Sequence, residues 1–494
     1  MPICGPQVAG AERKKSAASD LKPSELDAEM RICEQVLVPL AAAASARAAP
    51  APTALRRSTA SSSSAPCLAI VPSDSIKLIL RPSTPSARSR FSIMPSLLTW
   101  VGLPIVLAAL AYQFLSGPGS KAHDVFGLGR PLNYTSHGPC TKIPELEACE
   151  DMWLHRPSGL LYLACSDMKS RLSWLPAVDN LDVTGRSNTD HIAILDTKGS
   201  GPIASRITRV KPVGYTDTLN LHGLSVWEIP AKSPELKPTL RVFVNNHRPP
   251  IDPVSKTVVD AKVVGANSTF ELFETTLGEG RMRHVRTYAG EAVRTPNRPA
   301  AVGPDSFVFT NDHKTKTGKG RLLDFFLPRS DLGFCDKSGC KIANPGPFHY
   351  PNGLVRSAKF PNRIYVPASA DANIRVFELQ ADNTLTLIDV IHTGYPSDNI
   401  TVDEDDNIYT ASFPNVPKLL AKFKDPWNVA SPTTVLKISR NYDKDQFFGK
   451  KWNVEKLLED DGSGMSGATT AVWDKHNGGL WLSGVMSISA FCKV

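Results

Sequence analysis

The stretch Pro396-Ser397-Asp398-Asn399-Ile400-Thr401-Val402 places two adjacent oxygen-bearing side chains directly before an alternating run of strand-forming residues. A polar turn follows at residues 403–407, and a second β-rich run covers Ile408–Ser412. Two such runs around a polar turn predict a β-hairpin whose first strand opens with a carboxylate and a carboxamide. The turn is acidic, but Ile408 and Pro414 stand where an EF-hand loop needs Gly and Glu. We therefore interpret it as a solvated hairpin turn.

The same layout occurs in six units along the chain. In each unit a small or polar residue opens a short apolar run, a turn follows, and a second β-rich run ends in small residues. Outside the opening stretch, the first runs are Met152–Leu154, Leu224–Ile229, Ala300–Val302, Leu354–Val355 and Ala468–Trp473. Repeated strand-rich units of one plan predict an all-β fold, a six-bladed β-propeller.

The residues that open the first strands have a special place in this fold, because those strands line the central channel of a propeller. Their openings therefore meet at one end of the channel. Hard oxygen donors that converge there suit Ca²⁺, which takes six to eight oxygen ligands. The alternative is that Asn and Asp open strands only because they favour turns, and the layout alone leaves both interpretations open. The residues concerned are Glu150, His222, Asn297, Asn352, Asp398 and Asn399.

Several short motifs, taken in their order and spacing between Cys140 and Cys492, resemble the serum paraoxonase/arylesterase family. The resemblance implies a six-bladed propeller with two calcium ions in its tunnel. It also implies hydrolysis of lactones and, promiscuously, of aryl esters and organophosphates. The motifs are Glu150-Asp151, His222-Gly223-Leu224-Ser225, Ala301-Val302-Gly303-Pro304 with Thr310-Asn311-Asp312-His313, Pro351-Asn352-Gly353 and Asp398-Asn399-Ile400.

By this resemblance a catalytic calcium would be bound by Glu150, Asn297, Asn352, Asp398 and Asn399. The chemistry of the set is consistent with that role, because two carboxylates neutralise the ion and three carboxamides add donors without excess charge. One coordination position can stay open for a substrate carbonyl, which the ion would polarise.

The resemblance also implies a histidine dyad, in which His222 deprotonates water and His247 orients His222 and passes the proton on. Histidine suits this task because its pKa lies near neutral pH. Considered alone, each would be taken for a loop or core histidine. The role of His313 is left open, and Asp398 or Asp312 is the alternative base.

Two residues depart from the family pattern. Arg298 follows Asn297 where the family has an aspartate that holds the second calcium, together with the equivalents of Asp151 and the Leu224 carbonyl. A guanidinium would repel a cation there, so we expect Arg298 to pair with Asp151 and the chain to hold one calcium. The alternative is that Arg298 points outward and another oxygen completes the second site. Phe413 stands where many relatives carry a histidine at the rim of the site, which bears on substrate choice.

The first part of the 494-residue chain has a different composition. Residues 1–93 are rich in Ala, Ser, Pro and Arg, which predicts a disordered low-complexity extension, and translation starting at Met94 is an alternative. Residues 97–115 carry no charge and are long enough to span a bilayer as a signal-anchor or signal-peptide helix. Residues 120–494 would form the propeller. We expect a membrane-anchored protein with a lumenal or extracellular propeller, or a secreted one.

The nine cysteines fit an oxidising compartment. The resemblance implies a disulfide between Cys140 and Cys492 that joins the first and last blades. Cys335 and Cys340 are close enough for a local disulfide, whereas Cys149 and Cys165 are expected to be free and buried. The sequons at Asn133 and Asn267 are expected to carry glycans. The sequon at Asn399 is not, because this residue is a proposed ligand.

The sequence therefore predicts a calcium-dependent lactonase or arylesterase that acts on small-molecule substrates and contacts the membrane through its N-terminal helix. A gluconolactonase-like sugar lactonase is the second enzyme hypothesis, and a non-catalytic, calcium-stabilised propeller that binds lipid or protein is the hypothesis from a different class. A serine-hydrolase elbow, G-x-S-x-G, is absent from the sequence. The net charge of +8 comes with no basic stripe interleaved with aromatics, so we expect no nucleic-acid partner.

Overall fold

The computed structural model describes residues 103–114, 120–135 and 138–494. The extension predicted for residues 1–93 lies outside this range, as do both ends of the helix predicted for residues 97–115. Its described part forms helix α1, Leu103–Phe114. Within the described ranges, no helix is both long and apolar enough to cross a membrane. The rest of the description concerns the unit Gln113–Val494.

The helices of this unit are short and lie in the connections between strands. The longest one follows a cap in which the Asn415 side chain accepts a hydrogen bond from the Lys418 N–H group. Short 3₁₀ turns cover Pro176–Val178, Val183–Gly185, Ile203–Arg206 and Lys444–Phe448. The α-helices are α2 (Ser120–Phe126), α3 (Met168–Ser173), α4 (Ala261–Val264), α5 (Gly320–Asp324) and α6 (Val416–Lys424).

Strands dominate the rest of the described chain. The first half contains β1 (Cys140–Glu147), β2 (Asp151–His155), β3 (Leu160–Cys165), β4 (Trp174–Leu175), β5 (Asn180–Leu181), β6 (His191–Asp196), β7 (Ile207–Val213), β8 (Leu221–Ile229), β9 (Thr239–Arg248), β10 (Asn267–Thr276), β11 (Arg281–Tyr288), β12 (Pro296–Gly303) and β13 (Ser306–Asn311). The second half contains β14 (Ser330–Asp336), β15 (Gly339–Phe348), β16 (Val355–Arg356), β17 (Arg363–Ala368), β18 (Asn373–Leu379), β19 (Leu385–His392), β20 (Ser397–Val402), β21 (Ile408–Ser412), β22 (Thr433–Arg440), β23 (Trp452–Asp460), β24 (Thr470–Asp474), β25 (Gly479–Ser483) and β26 (Ile488–Lys493).

The sheets give the described chain an all-β, propeller-like fold. Strands β12–β15, β16–β19 and β20–β23 each form a four-stranded sheet, and a fourth such sheet has the order β1-β26-β25-β24. The remaining large sheet has eight strands in the order β2-β3-β6-β7-β11-β10-β9-β8, and β4 pairs with β5 in a small ribbon. A short parallel pairing joins β7 to β11 at Arg281↔Lys211, Met282↔Pro212 and Arg283↔Val213. Four of the six predicted units are thus separate sheets, and the other two share one.

The first strands of these units are neighbours in a closed series. Strand β2 contacts β8, β8 contacts β12, β12 contacts β16, β16 contacts β20, β20 contacts β24, and β24 contacts β2. Apolar side chains fill the space between adjacent sheets, as where Val308 and Leu332 pack with Ile364 and Phe377. Because each sheet buries side chains on both faces, the core is a set of layers around the series of first strands.

The hairpin at the opening stretch forms as predicted. Strand β20 pairs with β21 from Val402↔Ile408, beside the turn, to Ser397↔Ser412 at the other end of the hairpin. In the turn, the Asp403 carboxylate accepts hydrogen bonds from the N–H groups of Asp405 and Asn407, and Asp406 adopts a φ of 66°. Such an Asx-type turn explains the acidic residues without a metal ion.

The disulfide between the chain's first and last strands is confirmed. Cys140 and Cys492 face each other in the β1–β26 pairing and are bonded, and the local Cys335–Cys340 disulfide is present as well. The prediction that Cys149 and Cys165 are free thiols is wrong, because they are bonded to each other. Because β2 and β3 pair as a hairpin, Cys149, two residues before β2, lies near Cys165 at the end of β3.

Replacing both Cys140 and Cys492 with alanine is expected to destabilise the fold by about 4–5 kcal/mol, because this bond closes a very long loop in the unfolded chain. The matched control is the double alanine variant of Cys335 and Cys340, whose short loop predicts a smaller loss. Denaturant unfolding under non-reducing conditions measures both. Equal losses for the two pairs, or alkylatable Cys140 in the native protein, would contradict the expectation.

Candidate active site

One cavity that opens to solvent brings together residues from separate sheets. Its polar lining consists of Glu150, His222, Asn297, Asn352 and Asp398, with Ser369 beside them. The structure thus brings together, at one cavity, five of the six residues that open the first strands: Glu150, His222, Asn297, Asn352 and Asp398. Asn399 is fully buried. It lies next to these residues, where its side-chain N–H donates to Glu150 Oε1 at 2.9 Å. We call Glu150, Asn297, Asn352, Asp398 and Asn399 the oxygen cluster.

Irregular strand pairing turns these side chains towards the cavity. In a regular strand, consecutive residues point to opposite faces. The register shifts in β20 between Ser397 and Ile400, and in β8 between Leu221 and Leu224. The first shift brings the adjacent residues Asp398 and Asn399 to the same site, as β-bulges do near active sites.

Two glycines allow the close packing around the cluster. A Cβ atom on Gly353 would lie 1.7 Å from Asn399 Oδ1, and one on Gly223 would lie 2.7 Å from the Asn297 carbonyl oxygen. Any side chain at either position would displace the cluster. This packing explains why glycine follows Asn352 and His222.

Most of the cluster's oxygens have no hydrogen-bond partner. Within the described chain, Oδ1 of Asn297, Asn352, Asp398 and Asn399 is buried and accepts no hydrogen bond. An unsatisfied buried acceptor costs about 1–3 kcal/mol, and native proteins contain few of them. Four in one cluster indicate that the site is built for a cation, which would satisfy all of them together.

The carboxyl groups of the cluster support the same conclusion. Burial raises the pKa of Glu150 to about 7, although Thr469 donates to Glu150 Oε2 at 2.8 Å. Burial, followed by the charge of Glu150, raises the pKa of Asp398 well above its usual range. A divalent cation would relieve this repulsion. The residues therefore fit Ca²⁺, which prefers carboxylate and carboxamide oxygens. Among the described residues, no group of three or more His, Cys, Asp or Glu is arranged to bind a metal, so a site here depends on the carboxamides.

His222 lies beside the oxygen cluster and lines the cavity. Its Nε2 atom is 3.3 Å from Asn297 Nδ2 and 3.7 Å from Glu150 Oε1. Its Nδ1 atom is buried and has no partner in the described structure. Burial holds the pKa of His222 well below the ordinary value, so the ring is neutral at pH 7 and has a lone pair free to accept a proton.

His247 packs behind His222 and does not line the same cavity. The two rings lie 5.2 Å apart between centroids, and Nδ1 of His247 is 2.8 Å from Ser268 Oγ. Burial lowers the pKa of His247 to about 3, although the Asp312 carboxylate opposes this. His247 instead borders a smaller cleft that also contains Asp312. The predicted dyad is thus two neutral, neighbouring imidazoles.

His313 is fixed outside the cavity lining. Its Nδ1 atom is 2.8 Å from Asp312 Oδ1 and 3.1 Å from Arg321 Nη2, and its ring packs edge-on against Tyr350. These contacts hold the Asp312 carboxylate near His247 and leave His313 no access to the cavity.

The expected ion pair at Arg298 is confirmed. Arg298 Nε donates to Asp151 Oδ2 at 2.6 Å, and its Nη1 donates to the Ile400 carbonyl at 2.6 Å. The N–H group of Leu224 also donates to Asp151 Oδ2, at 2.7 Å. Both residues of the pair are buried. Asp151 thus already has a counter-charge and two N–H donors, which leaves little reason for it to bind a second cation.

Purified protein is therefore expected to contain one tightly bound calcium per chain. Replacing Arg298 with aspartate should allow a second calcium to bind, because it changes the local charge by two units. The matched control adds Asp151→Asn to that variant, which should remove the second ion again. Elemental analysis after gel filtration measures the ratio, and two tight calcium ions in the unmodified chain would refute the argument.

Several residues of the site were missed in the sequence. The side chains of Thr469 and Thr470 both donate to the Glu150 carbonyl oxygen, at 2.9 and 2.8 Å. They open the first strand of the sixth unit, which is the position that identified the other site residues. Ser369 accepts from Asn352 Nδ2 at 3.1 Å and orients that side chain.

Helix α6 was also missed. Val416, Leu419, Leu420 and Phe423 line the cavity, and their spacing of i, i+3, i+4 and i+7 is typical of one helix face. Phe413 lies in the lining as well. The remaining apolar lining comes largely from Phe126, Leu175, Val178, Phe325 and Val485.

Comparisons with known proteins agree with this arrangement. Residues 251–493 match the family model described as arylesterase. Serum paraoxonase/arylesterase 2 of Gallus gallus is 28% identical over 310 residues, covering 61% of this chain and 76% of that protein. Serum paraoxonase/lactonase 3 of Homo sapiens is 26% identical over 365 residues, covering 72% of this chain and 88% of that protein.

Among solved structures, a gluconolactonase from Xanthomonas campestris covers 73% of this chain and 98% of its own, at 13% identity and a TM-score of 0.38. That score is too low to support an argument. The family model and these relatives support the serum paraoxonase/arylesterase family for this chain, and with it the activity of an ester or lactone hydrolase.

Proposed function

We propose that this chain is a calcium-dependent hydrolase of lipophilic lactones and aryl esters, with His222 as the general base. The observation that carries the proposal is the oxygen cluster. Four buried oxygens without hydrogen-bond partners lie beside a neutral histidine, and all but one of the cluster's residues line the same cavity as that histidine. A non-catalytic, calcium-stabilised propeller would need the cluster but not the histidine at the cavity, which makes a binding module the weaker hypothesis.

We further propose six blades. In this interpretation the eight-stranded sheet is two four-stranded blades, β2-β3-β6-β7 and β8-β9-β10-β11, that share the short β7–β11 pairing. The closed series of six contacting first strands supports this count. The disulfide between β1 and β26 then closes the last blade.

The oxygen cluster would hold the calcium ion. When bound there, calcium would polarise the substrate carbonyl and stabilise the negative charge that develops on its oxygen. Thr469 and Asn399 keep the Glu150 carboxylate in place by donating to its two oxygens. Ser369 does the same for Asn352, so the donors are positioned before the ion binds.

His222 would remove a proton from water as the water oxygen bonds to the carbonyl carbon. His247 is the nearest imidazole that could take the proton onward, and the Asp312 carboxylate near it would stabilise the resulting positive charge. The proton returns to the alkoxide when the ester C–O bond breaks. This sequence leaves both histidines neutral at the end of the cycle.

The cavity walls favour lipophilic substrates over sugar lactones. Beyond the polar residues around the cluster, the lining is apolar side chains, among them Phe126, Phe325, Phe413 and the α6 face. Sugar hydroxyl groups would lose their water partners there and find few replacements. An alkyl or aryl group would instead gain about 0.8 kcal/mol for each buried CH₂.

A series of γ-lactones with growing alkyl chains tests this proposal. We expect kcat/KM to rise about fourfold for each added CH₂ until the cavity is filled, and glucono-δ-lactone to be a poor substrate. Phe413→Ala should flatten the series, whereas Phe360→Ala, at an exposed site away from the cavity, should leave it unchanged. Preference for the sugar lactone would favour the gluconolactonase hypothesis.

We also propose an oxidising compartment for the propeller, with the N-terminal helix as its anchor or signal. The three disulfides support the compartment. Asn133 and Asn267 are exposed, as glycan acceptors must be, whereas Asn399 is fully buried. Loss of mass at two sites on glycosidase treatment of the secreted or membrane-bound protein would support this assignment.

A further inference from the structure

A backbone segment next to the proposed base lacks ordinary strand bonding. The β8–β9 pairing runs through Leu221↔Asn246 and resumes at Leu224↔Val244, so His222 and Gly223 lie outside the regular ladder. This irregularity directs His222 to the cavity, but it also removes the hydrogen bonds that would keep it there. Something else must hold this segment, because a displacement of about 1 Å in a catalytic group can cost about 10²-fold in rate.

Two side chains of opposite charge, one buried and one half-buried, bind the residue just before His222. Arg171 Nη2 donates to the Leu221 carbonyl at 2.5 Å, and Asp190 Oδ2 accepts from the Leu221 N–H group at 2.8 Å. They come from different places in the chain, since Arg171 lies on α3 and Asp190 immediately precedes β6. Both polar groups of Leu221 are therefore fixed from outside its own sheet ladder.

The two side chains are themselves well anchored. Asp190 Oδ1 accepts from Ser166 Oγ at 2.6 Å. The helix that carries Arg171 is capped by Asp167, whose carboxylate accepts from the Ser170 N–H group. Arg171 is 2% exposed, and within the described chain its Nε atom has no hydrogen-bond partner. A buried guanidinium that bonds to a backbone carbonyl and leaves Nε unpaired is costly, which indicates a role beyond general stability.

We propose that Arg171 and Asp190 are positioning residues that hold His222 in place through the peptide groups of Leu221. The inference rests on the proposed role of His222 as the base. Neither residue lines the cavity, so neither touches substrate. They act on turnover by keeping the imidazole oriented towards the water and the carbonyl carbon.

Arg171→Met and Asp190→Asn should each lower kcat on a lactone about 10- to 100-fold and leave KM within about twofold. Arg171→Lys should recover part of the loss, because it keeps one donor to the carbonyl. The kcat of the double variant should be no lower than that of the slower single variant, because both changes remove hydrogen bonds that hold the same residue, Leu221. The matched control is Arg206→Met, which removes a half-buried guanidinium that donates to the Asp196 and Gly199 carbonyls away from the site.

Hydrogen exchange provides a readout that does not depend on hydrolysis. Amide exchange in the peptide containing Leu221 and His222 should be at least tenfold faster in Arg171→Met and Asp190→Asn, and unchanged in Arg206→Met. Unchanged exchange, or an unchanged kcat in variants that exchange faster, would overturn the proposal. If the variants exchange faster but the unmodified protein hydrolyses no lactone, Arg171 and Asp190 hold Leu221 as proposed, and the proposed function is refuted.

Discussion

Replacing His222 with glutamine is expected to lower kcat on lactones by about 10²–10⁴, the usual contribution of a general base. Glutamine keeps a similar size and polarity but cannot accept the proton. The ring lies 3.7 Å from Glu150 and packs against His247, so the change removes the base from a site whose other groups stay in place. Steady-state kinetics on a lactone identified in the substrate series measures the loss.

The control for this prediction is His155→Gln. His155 is also a buried histidine at a strand end, but it contacts Ser158 and Glu228 and does not line the cavity. It should retain turnover, and both variants should keep the calcium content and unfolding midpoint of the unmodified protein. If His222→Gln turns over lactones at a near-normal rate, the base lies elsewhere, and Asp398 is the first residue to test, followed by Asp312.

Removal of calcium is expected to abolish hydrolysis altogether. The oxygen cluster contains two carboxylates with raised pKa values and carboxamides whose oxygens lack partners, and only a cation can satisfy them together. Calcium should restore activity better than zinc, because zinc prefers four nitrogen or sulfur ligands in a tetrahedron. Activity before chelation, after it, and after adding back each metal gives the result.

Substituting a residue of the oxygen cluster tests whether the calcium that supports activity binds at this site. Asp398→Asn should weaken calcium binding and raise the calcium concentration needed for half-maximal activity. Asp474→Asn is the matched control, since Asp474 is a buried carboxylate whose partners are Trp481 and Asn477. Full hydrolysis after exhaustive chelation, in protein shown by elemental analysis to be free of metal, would refute the calcium hypothesis.

Buried carboxylates need a positive charge nearby, and this site meets that need in two ways: through Arg298 at Asp151 and through the proposed calcium ion at the oxygen cluster. Within the described structure, no arginine or lysine side chain directly contacts the carboxylates of Glu150 and Asp398. Asp151, by contrast, is neutralised by Arg298. The contrast explains why we expect one ion and not two. It also predicts that the residue after Asn297 sets the metal content of the site without changing the strand that carries it.

The sequence by itself determined the local elements and the identity of most site residues. Alternating apolar runs around polar turns predict strands because each hairpin buries one set of side chains, as at β20 and β21. The residues opening these strands could be found because their position in each unit is repeated. The Arg298–Asp151 pair could also be predicted, because the family resemblance places both residues at one site, where a guanidinium can neutralise the buried carboxylate.

Only the tertiary structure decided how these elements meet. The bulge that turns both Asp398 and Asn399 towards the site depends on pairing with β21. The hydrogen bonds to Leu221 come from Arg171 and Asp190, which lie in separate parts of the chain. The bond between Cys149 and Cys165 and the sharing of one sheet by two predicted units have the same origin. The physical reason is that contacts between residues far apart in the chain follow from packing and from the register of each strand pair, and neither is encoded in the periodicity of a single segment.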